Sequence, residues 1–268
     1  MTDDAVAGEI LAAAGAGSEP GAGLAPFTGR DPEFDLPRAY RIAAAVMRAR
    51  AARGERPAGW KIGFTNRRMW DEYGVRAPVW GPVYDTTLRI LDGTPCALAG
   101  FAEPRIEPEI VFRLARTPPE GAGAEALLAC LDGVALGFEV VQSLYPGWRF
   151  RAPDTVAAFA LHGRLYRGPW VALDGPGWAD RLARFSATLT RDGAVADHGA
   201  AEAVLGSPLN ALAHLAAGLP GTPFGRGLEA GDVVTTGTLT RACPVAPGET
   251  WAATLDGLDL APITLSFT

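Results

Sequence analysis

Ile106-Glu107-Pro108-Glu109-Ile110-Val111-Phe112, followed further on by Phe138-Glu139-Val140-Val141, decides how the chain is read. Ile110, Val111 and Phe112 favour a pleated, half-buried strand. Alternate side chains of a strand share a face, so Glu107 and Glu109 point the same way. Pro108 between them lacks a backbone donor and keeps the segment at an edge, a bulge or a strand start. Glu139 sits in a second β-rich run between Phe138 and Val140, two residues that favour burial. Three carboxylates turned toward an apolar interior repel one another and are costly to desolvate unless a cation neutralises them. All-oxygen ligation suits Mg²⁺ or Mn²⁺ better than zinc. The alternative is an edge strand with Glu107 and Glu109 on its wet face and Glu139 unrelated; spacing alone leaves both open.

Composition narrows the class. The chain has 268 residues, 48% hydrophobic and 20% charged, ordinary for a globular protein with a substantial core. Its net charge of −6 disfavours nucleic acid or an anionic membrane as the main partner. No run of apolar residues reaches the length of a membrane span. The chain opens Met1-Thr2-Asp3-Asp4, acidic where a signal peptide is basic. Cys96, Cys130 and Cys243 have no metal-binding or redox spacing and read as small hydrophobes of a reducing cytosol. A cytoplasmic protein is expected.

Working outward, Ala5 to Ala14 predicts a short helix, and Gly15 to Gly23 a flexible connector. Asp35 as N-cap and Pro37 in the first turn open a long amphipathic helix closed by Gly54. Gly59-Trp60-Lys61-Ile62-Gly63-Phe64-Thr65 reads as a strand with one charge, Lys61, which either snorkels outward or is held for use. A helical turn over 66–73 ends at Gly74. Pro78 to Asp85 reads as a rigid loop in which Asp85 either caps Thr86 and Thr87 or serves a site. Short strands are expected over 87–91 and 96–101, a helix over Ala124 to Leu131, a strand over Val134 to Val141, a helical turn over Asp154 to Ala160, and a strand from Gly163 to Tyr166. Ser186 to Gly193 reads as a strand entering a hairpin turn, and Ser207-Pro208 begins a helix. Asp232 to Thr240 is a strand breaking into a Gly-Thr turn, and strands near Trp251 to Leu255 and Ile263 to Phe267 close the chain. A helical front followed by many short strands, without βαβ alternation, predicts α+β.

Taken in order, Trp60 to Thr65, the Pro78 to Asp85 segment, Ile106 to Glu109, Glu139, the Ser207-Pro208 helix and Gly231 to Thr238 resemble the 2-oxopent-4-enoate hydratase / 4-oxalocrotonate decarboxylase family of the fumarylacetoacetate hydrolase superfamily. The similarity runs from about residue 5 to 268. It implies a mixed β-roll or sandwich with a helical N-terminal region over residues 1–78, packed on a catalytic unit over 79–268. It implies a Mg²⁺ or Mn²⁺ site held by Glu107, Glu109 and Glu139, with Lys61 and Asp85 as the proton-handling pair and Gly237 and Thr238 at the substrate carboxylate. The activity implied is addition of water to a 2-hydroxydienoate or 2-oxo-enoate in aromatic catabolism. The partners implied are a small 2-oxo acid, further copies of the chain, and a complex with a pathway decarboxylase or hydratase.

The chain departs from the family's pattern at two places. Gln142-Ser143-Leu144 stands where Asp-Ser-Arg is frequent, and Asp154-Thr155-Val156-Ala157-Ala158-Phe159 lacks an Asn and Ser found there. Three alternatives remain. A decarboxylase acting on a 2-oxo-enedioate would want a distal cation, for which Arg149 and Arg151 are available. An acylpyruvate C–C hydrolase would want a histidine to activate water; only His162, His198 and His214 exist, all after the glutamates. A non-catalytic partner subunit would have no need of a buried carboxylate cluster.

Overall fold

The structure, a computed structural model, describes residues 1–17 and 23–268. The connector expected over Gly15 to Gly23 therefore lies, for 18–22, outside the described residues. The first helix spans Asp3–Ala16, capped by Thr2. The long helix spans Leu36–Ala52; Asp35 accepts from the Arg38 amide at 2.9 Å. Its buried face of Ala39, Ile42, Ala43 and Val46 packs against the first helix and against a short helix at Ala152–Ala157. Small residues along that face let the helices approach closely.

In chain order the strands are β1 (Pro57–Gly63), β2 (Val79–Tyr84), β3 (Leu88–Ile90), β4 (Arg105–Leu114), β5 (Leu131–Val141), β6 (His162–Arg167), β7 (Ser186–Arg191), β8 (Ala194–Ala200), β9 (Val233–Thr238), β10 (Cys243–Pro244), β11 (Thr250–Asp256) and β12 (Ile263–Ser266). The large mixed sheet runs β2-β1-β9-β4-β5-β6-β3, with β10 added beside β4. Its two terminal strands, β2 and β3, are joined through only Asp85, Thr86 and Thr87, so the sheet must curl until its ends meet. The smaller sheet runs β12-β11-β7-β8. Its hairpin turns at Asp192 and Gly193, both with positive φ (51° and 81°), the backbone that a tight hairpin needs. Trp251, Ala253, Ile263 and Leu265 of that sheet join the same core as Phe112, Leu136 and Phe138 of the large one.

β1, which carries Lys61, lies inside the large sheet between β2 and β9, although it belongs to the 1–78 region in sequence. Two expectations from sequence are corrected. Residues 79–84 form strand β2, fully buried, rather than a loop. Pro82 is tolerated because β2 is a terminal strand of the sheet and needs no donor on its outer side. Residues 96–101 do not form a strand: Cys96 makes a single bridge to Phe267. No helix among the described residues is long and apolar enough to cross a membrane.

Candidate metal centre

Register brings the site together. Glu107 pairs with Glu139, and Glu139 with Leu165; Lys61 pairs with Thr235, and Thr235 with Val111. Paired residues share a face, so Glu107, Glu109, Glu139, Lys61 and Thr235 all stand on one side of the sheet. One carboxylate oxygen from each of Glu107, Glu109 and Glu139 lies within 4.8 Å of the other two. Glu109 and Glu139 are completely buried, and Glu107 is half-buried.

A bulge shapes the centre. Between Glu109↔Thr238 and Val111↔Thr235, β9 holds one residue more than β4. Gly237 takes φ +102° there, and a side chain would be driven to within 2.1 Å of Thr65 Oγ1. The bulge turns the Gly237 amide onto Glu109 Oε2 at 2.7 Å, and the Thr235 hydroxyl donates to the same oxygen. Glu109 Oε1 is buried with no hydrogen-bond partner. On Glu139 the pattern repeats. Oε1 lies 2.6 Å from His162 Nδ1, while Oε2 has no hydrogen bond and lies 3.2 Å from Lys61 Nζ. Two buried carboxylates, each with one oxygen fully committed and one left over, fit a hard divalent cation, which would take up those leftover oxygens together with Glu107.

The electrostatics agree. Burial pushes the Glu107 carboxyl up to about 7, against the opposing pull of Lys61. Glu109 is raised well above the usual carboxylate range by burial and by its neighbouring glutamates. Burial acts on Glu139 the same way, but the Lys61 ammonium and His162 outweigh it and hold its pKa below the usual value. Burial alone would lower the pKa of Lys61; the three glutamates, Glu139 first, raise it instead. Glu107 and Glu109 therefore hold protons more tightly than free carboxyls do, as expected where negative charge is in surplus in a low-dielectric pocket.

Lys61 is buried, and its Nζ donates to the Ala160 carbonyl at 2.9 Å. That carbonyl is presented by three consecutive residues in the left-handed region, Phe159, Ala160 and Leu161 (φ 61°, 51° and 64°). Such a run costs roughly 1–2 kcal/mol per non-glycine residue, strain of the kind found where a structure holds a functional group in place.

Asp85 is not brought to Lys61. It is exposed on the turn after β2, and its Oδ1 accepts from the Arg56 amide at 3.0 Å. Lys61 pairs with Gly81 instead, four positions back along β2. Gly237 and Thr238 do sit beside the cluster, but the Gly237 amide is committed to Glu109 and the Thr238 hydroxyl donates to the Thr240 carbonyl at 3.0 Å. Sequence reasoning missed His162 as part of the centre. It is buried, burial lowers its pKa, and its second nitrogen, Nε2, meets Thr87 Oγ1 at 2.8 Å. Neither ring nitrogen is left to activate water. His214, Arg149 and Arg151 are exposed.

The two departures from the family pattern serve packing. Gln142 Oε1 accepts from the Ala102 amide at 3.1 Å, and Leu144 is buried. At the second, Thr155, Val156 and Ala157 are buried and the Thr155 hydroxyl donates to the Ala152 carbonyl at 2.8 Å, while the retained Asp154 ties down the short helix Phe27–Arg30, accepting from the Thr28 amide at 3.0 Å and the Thr28 hydroxyl at 2.7 Å.

Beside the cluster lies an open cleft of about 1050 Å³, reached by Glu107, Thr238 and Arg105. Three other arginines of that cleft each face a carboxylate: Arg68 with Glu202, Arg191 with Glu249 and Arg241 with Asp197, at 3.1–3.5 Å. Arg105 instead stacks over Trp148 at 3.9 Å and forms no salt bridge among the described residues, although its charge acts on Glu107.

Comparison with known proteins gives the same placement. Residues 84–261 match the Fumarylacetoacetate (FAA) hydrolase C-terminal family. The chain is 34% identical to a 2-hydroxyhexa-2,4-dienoate hydratase of Comamonas testosteroni, over 90% of each chain. It is 34% identical to a 2-keto-4-pentenoate hydratase of Burkholderia vietnamiensis, over 96% of this chain and 97% of that one. A solved 4-oxalocrotonate decarboxylase from Pseudomonas putida G7, complexed with magnesium and adipate, superposes with a TM-score of 0.88 at 28% identity, covering 99% of this chain and 97% of the other. The chain belongs to the 2-oxopent-4-enoate hydratase / 4-oxalocrotonate decarboxylase family of the fumarylacetoacetate hydrolase superfamily.

Proposed function

We propose that the protein is a divalent-metal-dependent hydratase that adds water to a 2-hydroxydienoate or 2-oxo-enoate such as 2-oxopent-4-enoate, giving a 4-hydroxy-2-oxo acid in the breakdown of aromatic compounds. The observation that carries this reading is the convergence of Glu107, Glu109 and Glu139, with one buried oxygen each on Glu109 and Glu139 accepting no hydrogen bond and Lys61 ion-paired to the latter at 3.2 Å. The hydratases at 34% identity support hydration, and the magnesium and calcium complexes of the solved decarboxylase support Mg²⁺ or a similar ion.

Glu107, Glu109 and Glu139 would hold a divalent cation, which would supply a Lewis acid to polarise the keto group of a 2-oxo acid. The chain's residues do the rest. Glu109 and Glu139 are fixed by hydrogen bonds, so the oxygens they present need no reorganisation when charge develops. Lys61 keeps its Nζ proton and stands beside Glu139, where it stabilises negative charge building on the substrate and can deliver a proton. Ketonisation of a 2-hydroxydienoate leaves a double bond conjugated to the 2-oxo group; water adds at C4 and a proton arrives at C3. General acid help of this kind contributes about 10²–10⁴-fold. Asp85, exposed and bound to Arg56, has no part in this assignment, whereas Thr238 lines the substrate's side of the cleft.

A second reading has one specific observation in its favour. A 2-oxo-enedioate, the substrate type of a 4-oxalocrotonate-type decarboxylase, would carry a second carboxylate into the cleft where Arg105 forms no salt bridge among the described residues. Metal-dependent turnover of 2-hydroxypenta-2,4-dienoate, followed by loss of its ultraviolet absorbance, tests the first reading against a parallel assay for CO₂ release from the enedioate. Hydration alone supports the hydratase. CO₂ release with an Arg105→Met loss of at least about tenfold in kcat/KM, the scale of one charge-assisted contact, would replace it with the decarboxylase.

A further inference from the structure

We propose that Thr87 and His162 form a directional hydrogen-bond relay that positions Glu139 to present a single oxygen, Oε2, to the metal. The inference rests on the metal-site reading above. It concerns residues outside the two glutamate strands: Thr87 on the turn between β2 and β3, and His162 at the start of β6, which pairs with β5.

The direction of the relay follows from counting protons. Thr87 Oγ1 accepts from the Tyr84 amide at 3.0 Å. Its own single proton has two acceptors in reach, His162 Nε2 at 2.8 Å and the Tyr84 carbonyl at 3.2 Å; the shorter contact is to the histidine. A hydroxyl donating to Nε2 requires that nitrogen to be bare. In a neutral imidazole the proton then resides on Nδ1, which faces Glu139 Oε1 at 2.6 Å. The chain from the Tyr84 amide through Thr87 and His162 to Glu139 therefore has a donor at every link. It fills one oxygen of Glu139 and leaves the other with no hydrogen bond.

Glu109 reaches the same end by a different route, with Thr235 and Gly237 filling its Oε2 and leaving Oε1 without a partner. A carboxylate with one oxygen pinned cannot rotate to chelate through both. Coordination is thereby held to one oxygen from each buried ligand, and room remains for a chelating substrate. Thr87 and His162 are positioning residues: they act on the metal only through Glu139.

The test is Mn²⁺ affinity of the full-length protein, measured by calorimetry and by the free-Mn²⁺ electron paramagnetic resonance signal. His162→Leu is expected to weaken binding about 10–100-fold, the usual cost of losing a partner behind a metal ligand. His162→Asn, which keeps a donor close to the Nδ1 position, is expected to recover most of that loss. Should His162→Leu fail to fold, the Thr87 pair carries the test. Thr87→Val, isosteric but without the hydroxyl, weakens Mn²⁺ binding, whereas Thr87→Ser retains it. Wild-type affinity in folded His162→Leu, or equal affinities in the two Thr87 variants, would overturn the relay while leaving the metal site standing. A wild-type protein that binds no Mn²⁺ would overturn the functional reading and the relay with it.

Discussion

The β4–β5 hairpin has two faces that differ by a shift of one residue and in almost every other respect. On one, Ile106, Ile110, Phe112, Phe138 and Val140 are buried in the main core. On the other, Glu107, Glu109 and Glu139 crowd together, followed by Val111 and Ala135 in a small separate cluster. The backbone is common to both, so the stability of one face supports the strain of the other. Fully burying each large apolar side chain contributes about 1.5–3 kcal/mol, and several such residues offset the cost of carboxylates that the chain alone cannot neutralise. The apolar face carries the core and, on the proposed reading, the acidic face carries the chemistry, and substitutions should separate along that line.

The largest separation is expected in activity. Glu109→Ala or Glu139→Ala should lower turnover by more than about 10³-fold, since metal polarisation contributes several kcal/mol, while circular dichroism shows a retained fold. Near-normal rates in either variant would break the contrast. On the opposite face, Phe138→Ala should cost about 3–5 kcal/mol of stability, read by urea unfolding, with Mn²⁺ affinity of the remaining folded protein unchanged. A large change in affinity there would show that the two faces are not independent.

A pH series sharpens the comparison on the acidic face alone. Glu107 sits at about 7, above the ordinary carboxylate value, and Glu109 is shifted the same way. Through these two carboxyls the folded apo-protein binds more protons than the unfolded chain between roughly pH 4.5 and 7, so their contribution to stability falls as pH rises through that window, offset in part by His162, whose lowered pKa acts in the opposite sense. A bound cation must displace those protons, so its apparent affinity should weaken by up to about tenfold per pH unit per proton as pH drops below about 7. Calorimetric titrations from pH 5.5 to 8 check this; affinity that does not vary would contradict the raised values. The smallest effect concerns the strained support of Lys61. Ala160→Gly should raise stability by roughly 1–2 kcal/mol, the cost of a left-handed non-glycine residue. A fall in melting temperature would show that the turn is not strained.

These contrasts also explain what could be read from sequence. Glu107 and Glu109 were legible because a strand's period of two puts them on one face, and Glu139 because it interrupts an apolar run. Lys61 stood out as a lone charge in a glycine-flanked strand. Each signal is local. His162 and Thr87 gave none: Glu139 and Thr87 lie 23 and 75 positions away from His162, and only the pairing of β6 with β5 on one side and with β3 on the other brings the three together. Asp85 looked suitable because an acid among aromatics resembles a site residue, yet β2 carries it past Lys61 to an exposed turn. Glycine and proline in Trp80-Gly81-Pro82 suggested a loop, and nothing local reveals that the segment ends a sheet where a missing donor is harmless.

The most direct measurement is anomalous diffraction from crystals of the protein grown with Mn²⁺. The account predicts one strong peak bonded at about 2.0–2.3 Å, the usual range for divalent cations on oxygen, to oxygens of Glu107, Glu109 and Glu139, with Oε1 of Glu139 still on His162. Saturating Mn²⁺ with no density among those three carboxylates would contradict it.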